Sequence, residues 1–238
     1  MEKMTALKRS LQEWNIDISD KQMMQFEMYY ELLLEWNSFM NLTAITELQE
    51  VIDKHFTDSL AIGKYVSLTY EKILDLGTGA GFPGIPIKIL YPDTEIVLMD
   101  SLNKRIKFLN AVIDKLELTK VTAVHGRAED MARNSIYREK FDICTSRAVA
   151  NLSTLSEYCI PYVKLDGYFI SYKTENAKTE IIEAEKAVKL LGGKLEKTEE
   201  YQLPDTDIER ILVFIKKCEK TKKTYPRKAG TPGKEPIK

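Results

Sequence analysis

The stretch from Ile73 to Gly84 constrains the fold of this chain more than any other: Ile73-Leu74-Asp75-Leu76-Gly77-Thr78-Gly79-Ala80-Gly81-Phe82-Pro83-Gly84. A short apolar run enters a turn with four glycines in eight residues, and prolines stand where a helix would begin. That reads as a strand, a tight turn and a helix N-terminus. Such a turn lets a ligand approach main-chain N–H groups that no Cβ shields, at a helix end whose unpaired donors favour oxygen-rich groups. Gly79, Gly81 and Gly84 satisfy the dinucleotide fingerprint G-x-G-x-x-G, and Asp100 follows at about the distance of a ribose-binding acid. Asp75 and Phe82-Pro83 weigh against a diphosphate ligand. A carboxylate two residues before Gly77 would repel it, and Pro83 brings no N–H to the helix start.

From Lys72 onward, apolar runs alternate with helical periods, the pattern of a doubly wound α/β fold with a parallel sheet. Strands are expected near 72–76, 95–99, 121–124, 141–145 and 167–173, and helices near 84–90, 103–117, 126–133, 151–163 and 176–191. Two further runs, about 194–202 and 209–216, have only the loop at Leu203-Pro204-Asp205 between them and read as an antiparallel hairpin at the sheet edge. Ahead of the sheet, residues 4–15 and 19–41 carry helical spacing. Ser19 and Gln22 have the capping-box spacing, and Met23, Phe26, Tyr30, Leu33, Trp36 and Met40 mark a core-facing stripe. After a polar break at 37–43, a helical segment from about Glu47 holds His55 and Asp58 three residues apart, a spacing that serves a fold as readily as a site.

A chain of 238 residues with 44% hydrophobic content is long enough for one large α/β domain with an appendage, or for two small domains. No apolar run has the length of a membrane span, and the first residues form no apolar signal region, so a cytoplasmic protein is expected. Cys144, Cys159 and Cys218 are odd in number and lack C-x-x-C spacing, which argues for reduced thiols and against a disulfide framework or a metal site. The net charge of −1 conceals an asymmetry: residues 216–238 hold nine Lys or Arg against two Glu, while the other 215 residues hold 26 bases against 34 acids. The basic segment reads either as a solvated tail or as an arm contacting phosphates. Residues 219–238, with three prolines and two glycines, are expected to be extended or disordered when unbound.

Ligands of open α/β sheets sit outside the carboxyl ends of the strands. Those ends carry Asp75 with the glycine turn, Asp100-Ser101, His125 through Asp130, Ser146-Arg147 and Lys173. A carboxylate after the second strand can accept both ribose hydroxyls. Taken singly, Asp100 also suits a helix cap, and Glu129 and Asp130 a helix's first turn. Five successive strand ends, each with a polar group, point instead to one ligand rim.

These residues resemble the family of guanine-N7 methyltransferases of bacterial small-subunit ribosomal RNA, also called the glucose-inhibited division protein B family. The resemblance rests on the turn Asp75 to Gly84, Asp100-Ser101-Leu102-Asn103-Lys104-Arg105, Arg127-Ala128-Glu129, Ser146-Arg147-Ala148 and Tyr225-Pro226-Arg227-Lys228. Trp36-Asn37, Asn41-Leu42-Thr43 and His55-x-x-Asp58-Ser59 extend it over essentially the whole chain. It implies a class I, Rossmann-like methyltransferase fold with a seven-stranded, mostly parallel sheet whose last strand is antiparallel. Residues 1–64 are then an N-terminal helical extension packed on the core, 65–218 the methyltransferase domain, and 219–238 the basic tail. The implied cofactor is S-adenosyl-L-methionine, leaving as S-adenosyl-L-homocysteine. It is held at positions matching Gly77, Phe82, Ala128, Glu129 and Arg147, with Gly79 in the turn and Asp100 on the ribose. Asp75 is expected to face the cofactor's amino group or sulfonium.

The implied acceptor is N7 of a guanine in 16S ribosomal RNA, met as RNA or as the small ribosomal subunit. That nitrogen carries an in-plane lone pair and no proton, so its methylation needs positioning and electrostatics, without a general base. Arg147, Ser146, His55 and Asp58 are candidates for lining the site. Tyr225 is a candidate stacking ring for RNA, and Arg227 and Lys228 are candidate RNA contacts. A chain ending before Lys220 is then expected to keep cofactor affinity and lose RNA methylation. With no heptad seam, a monomer is expected. Three other readings stay open: a methyltransferase for another acceptor, a non-catalytic RNA-binding factor of ribosome assembly, and an NAD-binding protein.

Overall fold

The computed structural model describes residues 2–238, and its frame is a single seven-stranded sheet. Strands β1 (Lys72–Leu76), β2 (Glu95–Asp100), β3 (Val121–His125), β4 (Phe141–Arg147), β5 (Val163–Thr174), β6 (Gly193–Gln202) and β7 (Glu209–Lys217) lie in the order β3-β2-β1-β4-β5-β7-β6. The first five run parallel. The expected hairpin forms, and β7 enters between β5 and β6, antiparallel to both. The order reverses between β1 and β4, which makes the carboxyl ends of these two strands the switch point where a crevice opens.

Helices α1 (Thr5–Glu13), α2 (Asp20–Met40), α3 (Leu48–Val51) and α4 (Asp58–Leu60) precede the sheet. Within it and after it come α5 (Gly84–Leu90), α6 (Asn103–Lys115), α7 (Ala128–Met131), α8 (Leu152–Cys159), α9 (Lys178–Leu190) and α10 (Thr231–Lys234). The strands are apolar on both faces because both are covered. Ile73, Ile96, Leu98 and Ile143 pack with Phe26, Ile85, Phe108 and Leu109 on one side. Leu74, Val97, Met99 and Cys144 pack with Leu152, Leu155, Ala184 and Val188 on the other. Burying each Val, Leu, Ile, Met or Phe among them stabilises the fold by about 1.5–3 kcal/mol.

Ser19 caps α2 as its spacing predicts: its hydroxyl accepts from the Gln22 amide, and Gln22 Oε1 accepts from the Ser19 N–H at 2.9 Å. The Gln22 side chain then donates to the carbonyls of Ile89 and Leu90, tying α2 to α5. Tyr29 is wholly buried where the stripe pointed to Tyr30, which is half-buried. The Tyr29 hydroxyl donates to the Ala80 carbonyl at 2.5 Å, so α2 braces the glycine turn directly. At the other end of α2, Asn37 Oδ1 accepts from the amides of Leu42 (2.6 Å) and Thr43 (2.9 Å) and turns the chain back towards the sheet.

The helical segment expected from about Glu47 forms, with a π-helical stretch, Ile52–Thr57, between α3 and α4, where the Asp58 amide reaches back to Asp53 O. Helical periodicity in sequence does not separate this wider turn from an ordinary one. One other expectation is corrected: residues 219–238 are neither extended nor disordered but lie folded along the body. Arg138 donates to the carbonyls of Thr221 (2.8 Å) and Tyr225 (3.0 Å), Arg133 to Pro226 (2.5 Å), and Thr154 to Pro232 (3.0 Å). Composition alone misleads here because distant polar side chains, rather than local apolar burial, satisfy the segment's backbone.

Candidate active site

The turn after β1 is held open by its glycines. Gly77, Gly79 and Gly81 have φ of 71°, 61° and 100°, the left-handed region that side chains disfavour. The amides of Gly77 and Thr78 both donate to Met99 O. A Cβ on Gly77 would lie 2.5 Å from Val149 Cγ2, whereas one on Gly79 would meet only the Gly77 carbonyl at 4.0 Å. Gly79 therefore faces open space, and that space is a cavity of about 580 Å³ at the switch point.

The cavity wall draws on four strand ends. Gly77, Gly79 and Phe82 follow β1, Asp100 and Ser101 end β2, Arg127, Ala128 and Glu129 follow β3, and Arg147 ends β4. Asp100 is almost wholly buried. Its Oδ1 accepts from the Leu102 amide at 2.9 Å, and its Oδ2 accepts from the Gly79 amide and from Arg105 Nη1, both at 3.0 Å. These bonds join the ends of β1 and β2 and set the carboxylate on the cavity edge.

Arg147 joins the opposite wall to the π-helical stretch. Its Nη1 donates to Asp58 Oδ2 and to the Lys54 carbonyl, each at 2.8 Å, and its side chain is 13% exposed. Its Nη2 lies 3.1 Å from His55 Nδ1. A guanidinium only donates, so Nδ1 carries the lone pair and the ring proton sits on Nε2, which donates to Thr43 Oγ1 at 2.9 Å. Burial first, and the positive charge of Arg147 second, hold the His55 pKa down to about 3. The neutral imidazole stacks on Phe82 with centroids 4.4 Å apart, and the Arg147 guanidinium lies 5.2 Å from the same ring.

The cavity thus brings together Gly77, Gly79, Phe82, Asp100, Ala128, Glu129, Arg147 and His55. Four other expected residues do not line it. Asp75 is fully buried beneath the turn, where its Oδ2 accepts from Thr78 Oγ1 (2.6 Å) and the Gly84 amide (2.8 Å); it does not face the cavity as expected. Alternation along β1 turns this side chain under the loop and away from the rim. Burial pushes its pKa up to about 6, against the opposing effect of those bonds. Ser146 is buried with its hydroxyl on Leu76 O at 2.9 Å. Asp58 sits behind Arg147, with its Oδ1 accepting from the Tyr201 hydroxyl at 2.8 Å. Lys173, at the end of β5, is taken up by Glu180.

The expected RNA contacts divide. Arg227 is committed to an ion pair with Glu157, and Tyr225 is half-buried against the apolar cluster under α8, while Lys228 is exposed. The cavity also recruits residues given no site role from the sequence: Thr43, Arg105, Tyr158 and Gly230. Thr43 and Arg105 fall inside the motifs Asn41-Leu42-Thr43 and Asp100 to Arg105, which was the available signal. Tyr158 and Gly230 had none, since the folded C-terminal segment brings the latter in. Among the described residues no helix is long and apolar enough to cross a membrane, and no His, Cys, Asp and Glu cluster is arranged for a metal.

Residues 22–209 match the family model described as rRNA small subunit methyltransferase G. The chain is 57% identical over 230 residues to a protein named ribosomal RNA small subunit methyltransferase G from Lachnoclostridium phytofermentans, covering 96% of this chain and 95% of that one. Against the protein of the same name from Desulforamulus reducens the identity is 53%, covering 98% and 97%. Two solved structures share the fold. A chain of the Haloferax volcanii complex between the Trm112 methyltransferase activator and a methyltransferase superposes with a TM-score of 0.58 at 13% identity, covering 78% of this chain and 97% of that one. The TYW2 protein of M. jannaschii, solved with AdoMet, gives 0.50 at 15%, covering 64% and 72%.

Proposed function

This chain belongs to the rRNA small subunit methyltransferase G family, and we propose that it transfers the methyl group of S-adenosylmethionine to N7 of a guanine in 16S ribosomal RNA. The observation that carries this reading is the cavity at the switch point, where an open glycine cradle and the Asp100 carboxylate face one space of about 580 Å³. That volume lies in the range of small-molecule sites. The residues fit the cofactor. The Asp100 carboxylate, with three of its acceptor sites filled by protein donors, retains capacity for a ribose hydroxyl, and the Gly79 surface admits a ligand where any Cβ would intrude. Gly77, Gly79, Phe82, Ala128, Glu129 and Arg147 complete the set that would hold it. When bound, the cofactor supplies an electrophilic methyl group on a positively charged sulfur.

The chain's own residues bind and orient. The only unprotonated ring nitrogen of His55 is occupied by Arg147, which suits a reaction that asks for no proton acceptor. Phe82, clamped between His55, Arg147 and Tyr29, presents a fixed apolar surface on the cavity wall. Asp58 and Ser146 act as supports, the first by neutralising and aiming Arg147, the second by fixing the end of β1 through Leu76 O. The acceptor, as RNA or as small subunit, would be met in the cytoplasm by a monomeric enzyme, and exposed Lys222, Lys223 and Lys228 supply phosphate-seeking charge.

The test is methyl transfer from radiolabelled cofactor to small subunits and to their extracted RNA, both lacking the modification, followed by nuclease digestion and identification of the labelled nucleoside. Label in 7-methylguanosine of 16S RNA is the expected result. Absence of label from RNA in both forms would refute the proposal.

A further inference from the structure

The basic segment after β7 reads in sequence as a solvated tail or a phosphate-contacting arm, yet its best-held residue faces inward. Glu157, on α8, is 1% exposed, and Arg227 surrounds its carboxylate. The Arg227 amide donates to Oε1 at 2.7 Å, Nε to Oε1 and Oε2 at 3.0 and 3.1 Å, and Nη2 to Oε2 at 2.7 Å. The same Nη2 donates to the Glu235 carbonyl at 2.7 Å, so one guanidinium closes the loop 227–235 at both ends. Thr154, also on α8, holds the loop at Pro232, and Ser153 bonds the Ile237 carbonyl.

At the crest of this loop is Gly230, in the left-handed conformation with φ of 84°. Its amide donates to Glu129 Oε1 at 2.8 Å, and both residues line the cavity beside Tyr158. Glu129 is 7% exposed and has no other protein hydrogen-bond partner described. Its orientation in the cavity therefore depends on a backbone donor from the far end of the chain.

On the reading of this cavity as the methyl-donor site, we infer that Arg227 is a positioning residue of that site: its fork on Glu157 holds the 227–235 loop so that the Gly230 N–H fixes the Glu129 carboxylate. Arg227 is then withdrawn from RNA, and the neighbouring exposed Lys222, Lys223, Lys228 and Lys234 are left to meet phosphates. A fork matters because a planar guanidinium can satisfy both carboxylate oxygens and the Glu235 carbonyl at once, which an ammonium cannot match.

The test is equilibrium binding of S-adenosylhomocysteine to the full chain by calorimetry, for the wild type, Arg227→Gln and Arg227→Lys, each checked for a cooperative melt above the assay temperature. Arg227→Gln is expected to weaken binding about tenfold, or about 1.4 kcal/mol, with Arg227→Lys in between. Its kcat at saturating cofactor should stay within about twofold of wild type while KM for the cofactor rises. If Arg227→Gln does not fold, the double variant Glu157→Gln/Arg227→Gln, which leaves no buried charge, takes its place with the same expected loss. A folded variant that binds S-adenosylhomocysteine like the wild type overturns the inference. So does one whose only loss is RNA affinity with a shallower salt dependence, which would make Arg227 a phosphate ligand. A wild-type chain that fails to bind S-adenosylhomocysteine refutes the donor-site reading itself, and this inference with it.

Discussion

Acidification is expected to weaken this fold through His55. In the folded chain its pKa is about 3, set first by burial and then by Arg147, while an unfolded histidine titrates near 6.5. Between these values the unfolded chain binds the proton and the folded chain refuses it. The contribution of His55 is thus complete above pH 6.5 and is lost progressively as pH falls towards 3. At about 1.36 kcal/mol per pH unit, the loss between pH 6.5 and pH 5 is about 2 kcal/mol. Asp75 acts with the opposite sign. Its folded pKa is raised to about 6 by burial, so the folded chain holds that proton more tightly, and stability is gained as pH falls below 6. A difference measurement separates the two. Urea unfolding of the wild type and of His55→Gln at pH 7, 6 and 5 leaves Asp75 common to both chains, and the stability advantage of the wild type should shrink by about 2 kcal/mol over that range. Parallel pH profiles for the two chains would refute the assignment of a buried neutral imidazole. Nitrogen NMR supplies a second check: Nδ1 should remain unprotonated at pH 5.

Other perturbations test the supports of the site. Gly77→Ala puts a Cβ 2.5 Å from Val149 Cγ2 at a φ of 71°, so a loss of about 1–2 kcal/mol is expected, with weaker S-adenosylhomocysteine binding by calorimetry; an unaltered melt and affinity would show that the turn adapts. Tyr29→Phe strands the Ala80 carbonyl in the core and should cost about 1–3 kcal/mol in denaturant unfolding, an expectation that a wild-type midpoint would contradict. A chain ending at Glu219 loses the Arg227 fork on Glu157 and the segment's hydrogen bonds to α8, and a lower midpoint in thermal or urea unfolding is expected, with weaker S-adenosylhomocysteine binding. That outcome replaces the earlier expectation of intact cofactor affinity, and a truncated chain with unchanged stability and affinity would restore it.

The strands and the glycine turn were legible because their signals are local. Apolar runs bounded by turn residues placed all seven strands, and α5 falls on residues 84–90 as read, since Gly77 to Pro83 leaves one place for a helix to start. The cavity side of the site was legible for a related reason: strand ends in this topology share one rim, so position along the chain predicts position in space. Orientation was not legible. Asp75 and Gly77 are two residues apart, yet one lies beneath the turn and the other lines the cavity, and Ser146 and Arg147 part in the same way. The last miss was long-range. Nothing near Gly230 in sequence announces that Glu129 is its partner, because a backbone amide carries no residue signature.

Phe82 also bears on the order in which the molecule becomes competent. Rings from α2 and from the π-helical stretch, and a guanidinium from the end of β4, all converge on this one side chain, while the cavity wall takes Leu42 from near the start of the chain and Gly230 from near its end. Contacts so widely separated in sequence need much of the chain to be present before they can form. On the reading of this cavity as the donor site, a nascent chain lacks the Gly230 bond to Glu129 until the segment around residue 230 has emerged.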